Sequence, residues 1–482
     1  MTSARLDPRR LAFAVAIACA ACGLVFVACA LVRRPYGAVE AELVFQASRI
    51  QKGFPLYVDP AVGAWEYGPP PSRYYVLYTP LWPWLLARIS PHTLEGIRTV
   101  GRALNALLLL LTLSVLVRAS KPANRLTVAT AAAMALGFEM IVREATLGDA
   151  DMPAVFLSTL ALLRMNARRG LDAASAALFA ATPLVKPSVL GAGLGAVVAH
   201  VYVHRRSGAR RLILPLAWGV LVATVIVLLF QRWSGGAWMN HIVRATGQPL
   251  SLERWAREFG ARAVFLGVPH AVVCATAARR GSSPFAVIPL ATSTAWAAFS
   301  MAKHGSGAHY WLEPTTAALA ALGAMPASAA PARATLRWAG LALAAVAGVE
   351  SLAAFARAPA DYAANRQQLA RVLASCPRKP GEVLVAGSVG MELVANGRVI
   401  VPAWQSAYLI RAGQFPLRAW REDLAMPQVR CFVHDRDFLT PPPERIEGVT
   451  EVSPYRKELR DVVEQNFVLQ GEFDGLLVFR RR

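Results

Sequence analysis

Charged side chains are scarce in this sequence. Only 17% of its 482 residues are Asp, Glu, Lys or Arg, against 55% hydrophobic. A water-soluble chain of this length needs far more polar surface to cover its core, so an ordinary soluble globular protein is excluded. Acids are scarcer than bases, 30 against 51, for a formal net charge of +21. The excess does not form the basic stripe in a polar, aromatic-bearing domain that marks nucleic-acid binding. It is parcelled into short clusters between apolar runs: Arg118/Lys121/Arg125, Arg164/Arg168/Arg169, Arg205/Arg206/Arg210/Arg211 and Arg279/Arg280. Cytoplasmic loops of a membrane protein carry this pattern, and nucleic acid is not expected as a partner. No P-loop or Rossmann glycine fingerprint precedes a suitable helix, which disfavours a nucleotide-fed enzyme.

Cysteine is sparse too, with 6 residues. Cys19, Cys22 and Cys29 lie inside the first apolar run without histidine partners, which argues against a metal site there. Cys274 also lies in an apolar run. Cys376 and Cys431 fall in the polar tail, where spacing alone leaves a disulfide open.

Apolar runs are abundant. They fall at roughly 11–33, 97–118, 124–142, 151–167, 171–185, 187–203, 212–231, 261–278, 284–301, 309–325 and 334–357. The first is too long for a signal-peptide core and reads as an uncleaved span with a cytoplasmic N-terminus. The sequence therefore predicts a polytopic α-helical membrane protein with about 11 transmembrane helices. The turns that emerge inside, at 118–125, 164–171, 204–211, 279–283 and 326–337, all carry arginine and almost no acid. The others hold Glu40, Glu42, Asp59, Glu66, Glu144, Asp149, Asp151, Glu253, Glu258 and Glu313. An error of one span would scramble that separation. The aromatic stretch 75–90 reads as an interfacial helix on the outer face, and 234–260 as a second interfacial segment. After about 358, a polar helix at 361–375, a helical stretch at 416–425 and short strand-like runs at 383–386, 399–401, 431–434, 467 and 476–479 predict a small α/β domain. An odd span count places it on the outer face. The expected division is a membrane-embedded catalytic domain over 1–357, with its outer loop at 34–96, and an extracytoplasmic α/β domain over 358–482.

Four outer segments carry chemistry. The first holds Glu40 and Glu42 just past the first span; the plain alternative is a pair of solvated carboxylates at a helix start, favoured by the helix dipole. The second is Arg143-Glu144-Ala-Thr-Leu-Gly148-Asp149-Ala-Asp151-Met-Pro153, whose plain alternative is N-capping by Asp151 with proline in the first turn. The third is Lys186-Pro187-Ser188, a lysine at an outer boundary that either snorkels or serves a phosphate as counter-ion. The fourth is Lys303-His304-Gly-Ser-Gly-Ala-His309-Tyr310-Trp-Leu-Glu313, in which Glu313 sits inside an apolar segment where an ionised group is expensive. His304, His309 and Glu313 leave a divalent cation open without establishing one. Together the acids supply general bases for an acceptor hydroxyl, and the cations suit a phosphate leaving group.

In this order, the motifs resemble the GT-C superfamily of membrane glycosyltransferases. The similarity is to bacterial family 39/83 members, to the RgtA/B/C/D-like groups, and to the protein O-mannosyltransferases and aminoarabinose transferases. The residues that carry the resemblance are Glu40 followed by Ala47, Ile50, Gly53 and Tyr57; Tyr67-Gly-Pro-Pro-Pro71 and Tyr78-Thr-Pro-Leu81; Asp151-Met-Pro153; Lys186-Pro187; and Gly305-Ser306-Gly-Ala-His309-Tyr310-Trp-Leu-Glu313. In the tail, Ala395-Asn-Gly-Arg398 and Gln405 through Gly413 also match. The resemblance implies sugar transfer from a polyprenyl-phosphate donor to a lipid, glycan or protein acceptor on the periplasmic face of a bacterial inner membrane, by single displacement with inversion. It assigns the catalytic base to Glu40, with Glu42 as rival because the family's Asp-Glu pair reads Val39-Glu40 here. Asp151, with Asp149 beside it, would position acceptor or sugar. Arg143, Lys186, Lys303, His304, His309, Tyr310, Glu313, Tyr57 and Tyr67 would line the donor and phosphate side, with His309 where relatives carry Asn. A lipid or sugar transporter or flippase is the rival from another class. Ionisable groups near the midplane and internal repeats would favour it, and neither is evident. A catalytically inactive protein of the same fold is a third reading.

Overall fold

The computed structural model describes residues 8–57, 76, 78–206, 209–246, 250–262, 266–303, 307–326, 332–400, 417–436 and 456–482. Its helices are, in chain order, α1 (Pro8–Arg33), α2 (Ala38–Gln51), α3 (Leu81–Ile89), α4 (Leu94–Ala119), α5 (Pro122–Gly137), α6 (Glu139–Ala145), α7 (Asp151–Arg168), α8 (Ala173–Val185), α9 (Gly191–His204), α10 (Ala209–Trp233), α11 (Ala237–Thr246), α12 (Leu252–Arg262), α13 (Val268–Arg279), α14 (Pro284–Ser300), α15 (Leu312–Ala324) and α16 (Ala332–Ser375). The chain forms two compact units. One comprises residues 1–33, 102–228 and 250–359; the other comprises 34–101, 229–249 and 360–482. This grouping joins the first outer loop to the tail, whereas composition alone divides the chain at 357/358.

Each apolar run carries a helix or a pair of helices. Three helices among the described residues have the length and apolarity to cross a membrane: 13–31, 94–119 and 213–233. A fourth is α5 with α6 if the two, bent by 80° at Phe138, count as one broken span. Three sequence expectations shift. The run beginning at 261 starts inside the amphipathic α12, so the apolar helix there is the shorter α13. The interfacial helix expected over 75–90 is helical at 81–89, after Pro80, with residues 75 and 77 outside the described set. The polar helix at 361–375 is not a separate element but the end of the 44-residue α16, which continues through Pro359.

In the first unit, helices pack through small residues, as lipid-exposed bundles do when no hydrophobic drive separates helix from lipid. Gly195 of α9 meets α14 so closely that a Cβ there would lie 2.0 Å from Thr292 Oγ1 and 2.5 Å from Pro289 Cα. Between α1 and α5, a Cβ on Gly23 would lie 1.8 Å from the Leu136 carbonyl oxygen, and one on Gly137 would lie 2.3 Å from Cys19 Cβ. Cys19 is thus a packing residue. The core gathers Leu162 and Met165 of α7, Ala192, Ala196 and Ala199 of α9, Phe285 and Leu290 of α14, and Ala317 and Ala321 of α15.

The second unit contains α2, α3, α11 and a small α/β fold. Its strands are β1 (Val383–Ala386), β2 (Val429–Asp435), β3 (Phe467–Phe473) and β4 (Leu476–Arg481), in the order β1-β2-β4-β3. Its remaining helices are α17 (Val389–Asn396), α18 (Leu417–Ala425) and α19 (Arg456–Asn466). β1 and β2 run parallel, with Leu384 opposite Cys431. β3 and β4 form a hairpin through Asp474 (φ 50°) and Gly475 (φ 84°), the positive-φ pair that tight hairpins require. Residues 399 and 400 form no strand, and 401 lies outside the described set. A disulfide joins Cys376 to Cys431 inside the core formed with Val372, Leu384, Ala386, Val433 and Val478.

Candidate active site

The second segment builds the centre of the first unit. The α5–α6 break at Phe138 turns the chain into α6, where Arg143 lies 3.7 Å from Glu139 and 3.1 Å from Glu144. Arg143, expected to face a phosphate, has two acids as neighbours here. Residues 146–150 then form a tight loop into α7, whose N-cap is Ala150 and which takes no side-chain cap bond. Asp151 therefore does not cap its helix. Its carboxylate reaches across to Lys186, with Nζ 2.9 Å from Oδ2 and both side chains buried. Lys186 arrives there because α8 must stop. A residue before proline is driven out of the helical region, and Lys186, preceding Pro187, is extended at φ −140°, ψ 110°.

Asp149 is equally buried, and its Oδ1 accepts the Asp151 backbone N–H at 3.3 Å. Burial foremost, then the Asp151 charge, pushes the Asp149 carboxyl well above the usual carboxylate range, against the pull of Lys186. Among the described residues Asp151 Oδ1 is buried without a fixed donor; the neighbouring Asp149 carboxyl, when protonated, can supply one. Lys186 also lies within electrostatic reach of Lys303 and Tyr310. Burial, then the like charge of Lys186, holds the Lys303 ammonium below its ordinary value. The His309 ring lies tilted against Tyr310 at 4.5 Å between ring centres, and its Nδ1 lies 4.0 Å from Glu144. The structure thus brings Arg143, Glu144, Asp149, Asp151, Lys186, Lys303, His309 and Tyr310 into one neighbourhood. Two lysines that raise each other's cost are relieved by an anion, and paired acids differing in protonation suit proton transfer.

Glu313 has a separate set of contacts. It is buried, accepts from Ser158 Oγ at 2.9 Å, and takes backbone hydrogen bonds from Gly191 and Ala192 at the start of α9. A carboxylate on those amides is what a helix N-terminus favours, so its contacts tie α7, α9 and α15 together.

In the second unit, Glu40 and Glu42 are both buried, which overturns the picture of solvated surface carboxylates. Glu40 accepts from the Gly37 N–H at 3.2 Å as the third residue of α2. Glu42, Gln46 and Arg49 follow at helical spacing on one face and are all buried. Tyr57 donates to the Tyr78 carbonyl at 2.7 Å and packs edge-on against Trp233 and His241; burial pushes its phenol up. Tyr67 and His304 lie outside the described residues. Among the described residues no group of three His, Cys, Asp or Glu side chains converges to hold a metal ion.

Sequence reasoning missed Asn105, Ser158, Gln46 and Arg49. Polar residues within apolar runs are the available signal for the first two. For the others it is their helical phase with Glu42.

No protein-family model and no curated protein matches the sequence. Among solved structures, the aminoarabinose transferase ArnT from Cupriavidus metallidurans bound to undecaprenyl phosphate aligns with a TM-score of 0.56 at 14% identity, over 96% of this chain and 97% of ArnT. Its apo state aligns at 0.57 and 15% identity, over 95% and 96%.

The chain shares the fold of ArnT.

The archaeal oligosaccharyltransferase of Archaeoglobus fulgidus, in its apo form, aligns more weakly, with a TM-score of 0.47 at 13% identity over 88% of this chain and 69% of that one. At these identities the fold is shared, and the side chains at the site are this chain's own.

Proposed function

We propose that this chain is a membrane glycosyltransferase. It moves a sugar from a polyprenyl-phosphate donor to a lipid, glycan or protein acceptor on the periplasmic face of a bacterial inner membrane. The observation that carries this reading is the buried Asp151–Lys186 pair beside Asp149 and Lys303, within a GT-C fold matched along nearly the whole of ArnT. The membrane-embedded part over 1–357 would hold the chemistry, with the α/β tail over 358–482 outside and the N-terminus in the cytoplasm.

In the proposed reaction the acceptor hydroxyl oxygen attacks the anomeric carbon and forms the new glycosidic bond. The bond from that carbon to the phosphate oxygen breaks, and polyprenyl phosphate leaves with the electron pair. The hydroxyl proton passes to the Glu40 carboxylate, with Glu42 as rival base. Inversion follows from the single displacement. Lys186 and Lys303, with Arg143, His309 and Tyr310 nearby, stabilise the charge growing on the phosphate, and Asp151 and Asp149 set the position of Lys186.

The test is transfer of radiolabelled sugar from a panel of polyprenyl-phosphate donors in membranes holding the wild type, Glu40→Gln or Asp151→Asn. Transfer by the wild type and a loss of roughly a hundredfold or more in Glu40→Gln at equal expression support the reading. Wild-type transfer with undiminished Glu40→Gln activity moves the base to Glu42. No transfer across a broad panel sinks the proposal.

A further inference from the structure

Asn105 is fully buried in α4, in the middle of an apolar run. Its Nδ2 donates to the carbonyls of Leu147 and, at 2.8 Å, Asp149. Both amide hydrogens are used, and the orientation of the amide is fixed, because the reverse would set an oxygen against two carbonyl oxygens. Its Oδ1 is buried with no hydrogen-bond partner among the described residues. Packing alone would be met by leucine, as at Leu109 and Leu113 of the same helix, and would not leave a buried oxygen without a donor.

The two carbonyls belong to the loop that carries the site acids. From Asn105 the connections run to the Asp149 main chain, from the Asp149 carboxyl to the Asp151 N–H at 3.3 Å, and from the Asp151 carboxyl to Lys186 at 2.9 Å. We propose that Asn105 is a positioning residue for the active site: it clamps the 147–149 loop and so holds Asp149, Asp151 and Lys186 in register. This rests on the reading of those three residues as site groups. The acids are held by a side chain of another helix as well as by the loop's own Asp149–Asp151 contact.

The experiment uses purified full-length protein in lipid nanodiscs. Infrared titration follows the protonated-carboxyl signal that Asp149→Asn removes. The groups facing that carboxyl are Asp151, Lys186 and Glu144, with Lys303 and His309 beyond them. In Asn105→Leu and in Asn105→Ala the loop loosens and admits water, so the midpoint moves down by a full pH unit or more. Sugar transfer then shows at least a tenfold fall in kcat with donor KM within twofold. A wild-type midpoint in both variants overturns the proposal. So does failure of both variants to accumulate as folded protein, since that assigns Asn105 to folding alone. If the wild type transfers no sugar, the infrared titration still decides the clamp, independently of the enzymatic reading.

Discussion

Lys186 and Asp151 lie 35 residues apart in sequence and 2.9 Å apart in space, each almost wholly buried. A buried pair of this kind costs more to break than it contributes when whole, because removing one partner strands the other charge.

Lys186→Met and Asp151→Asn should therefore each lower stability by about 3–5 kcal/mol. The double variant should lose clearly less than the sum, because no lone charge remains. Thermal unfolding of the four proteins in one detergent checks this; additive losses would mean that the pair is not energetically coupled.

The elevated carboxyl of Asp149 ties stability to pH. Its folded-state value lies above its unfolded one, so its contribution is fully present below the ordinary carboxylate range and is lost as pH rises through the raised value. Each tenfold change in that protonation equilibrium is worth about 1.4 kcal/mol. Melting temperatures of the wild type should fall across that window relative to Asp149→Asn. Parallel curves for the two proteins would show that Asp149 titrates normally.

The α9–α14 contact offers a paired test within one helix. Gly195→Ala forces a methyl against Thr292 Oγ1 and the Pro289 backbone, and should cost about 1–3 kcal/mol. Gly193→Ala meets nothing closer than 3.4 Å, at Phe179, and should be neutral or slightly stabilising through helix propensity. Comparing the two melting temperatures separates close packing from a general intolerance of substitution in α9.

The Cys376–Cys431 bridge closes a loop 55 residues long in sequence separation. Its loss in Cys376→Ser/Cys431→Ser should lower stability by about 2–4 kcal/mol, and reductant should have a similar effect on the wild type. Thiol labelling of the unfolded chain without reductant should count four cysteines, matching the free Cys19, Cys22, Cys29 and Cys274; six would show that no bridge forms.

The apolar runs were legible because a helix in lipid needs only length and composition. The strands at 383–386 and 431–434 were legible because they are short, apolar and bounded by polar residues. Lys186 and Asp151 could be named as site candidates because each is a charge beside an apolar run, Lys186 directly before Pro187 and Asp151 two residues before Pro153. Their direct pairing could not be read, because it depends on α8 ending where Pro187 makes it end and on α7 beginning without a side-chain cap. Glu40 and Glu42 looked like surface acids because a stretch of chain carries no record of what will cover it. Asn105 escaped because one amide in a row of leucines looks tolerable until the loop it holds is seen.

The stretch 213–233 of α10 has no fully buried residue in its most apolar window. Ile213, Leu214, Val220, Leu221, Val225, Leu228 and Leu229 all face outward. Among the described residues nothing packs on these side chains closely enough to distinguish isoleucine from leucine or valine. Over evolutionary time this segment should drift freely among aliphatic residues, preserving oiliness and length while its letters are reshuffled.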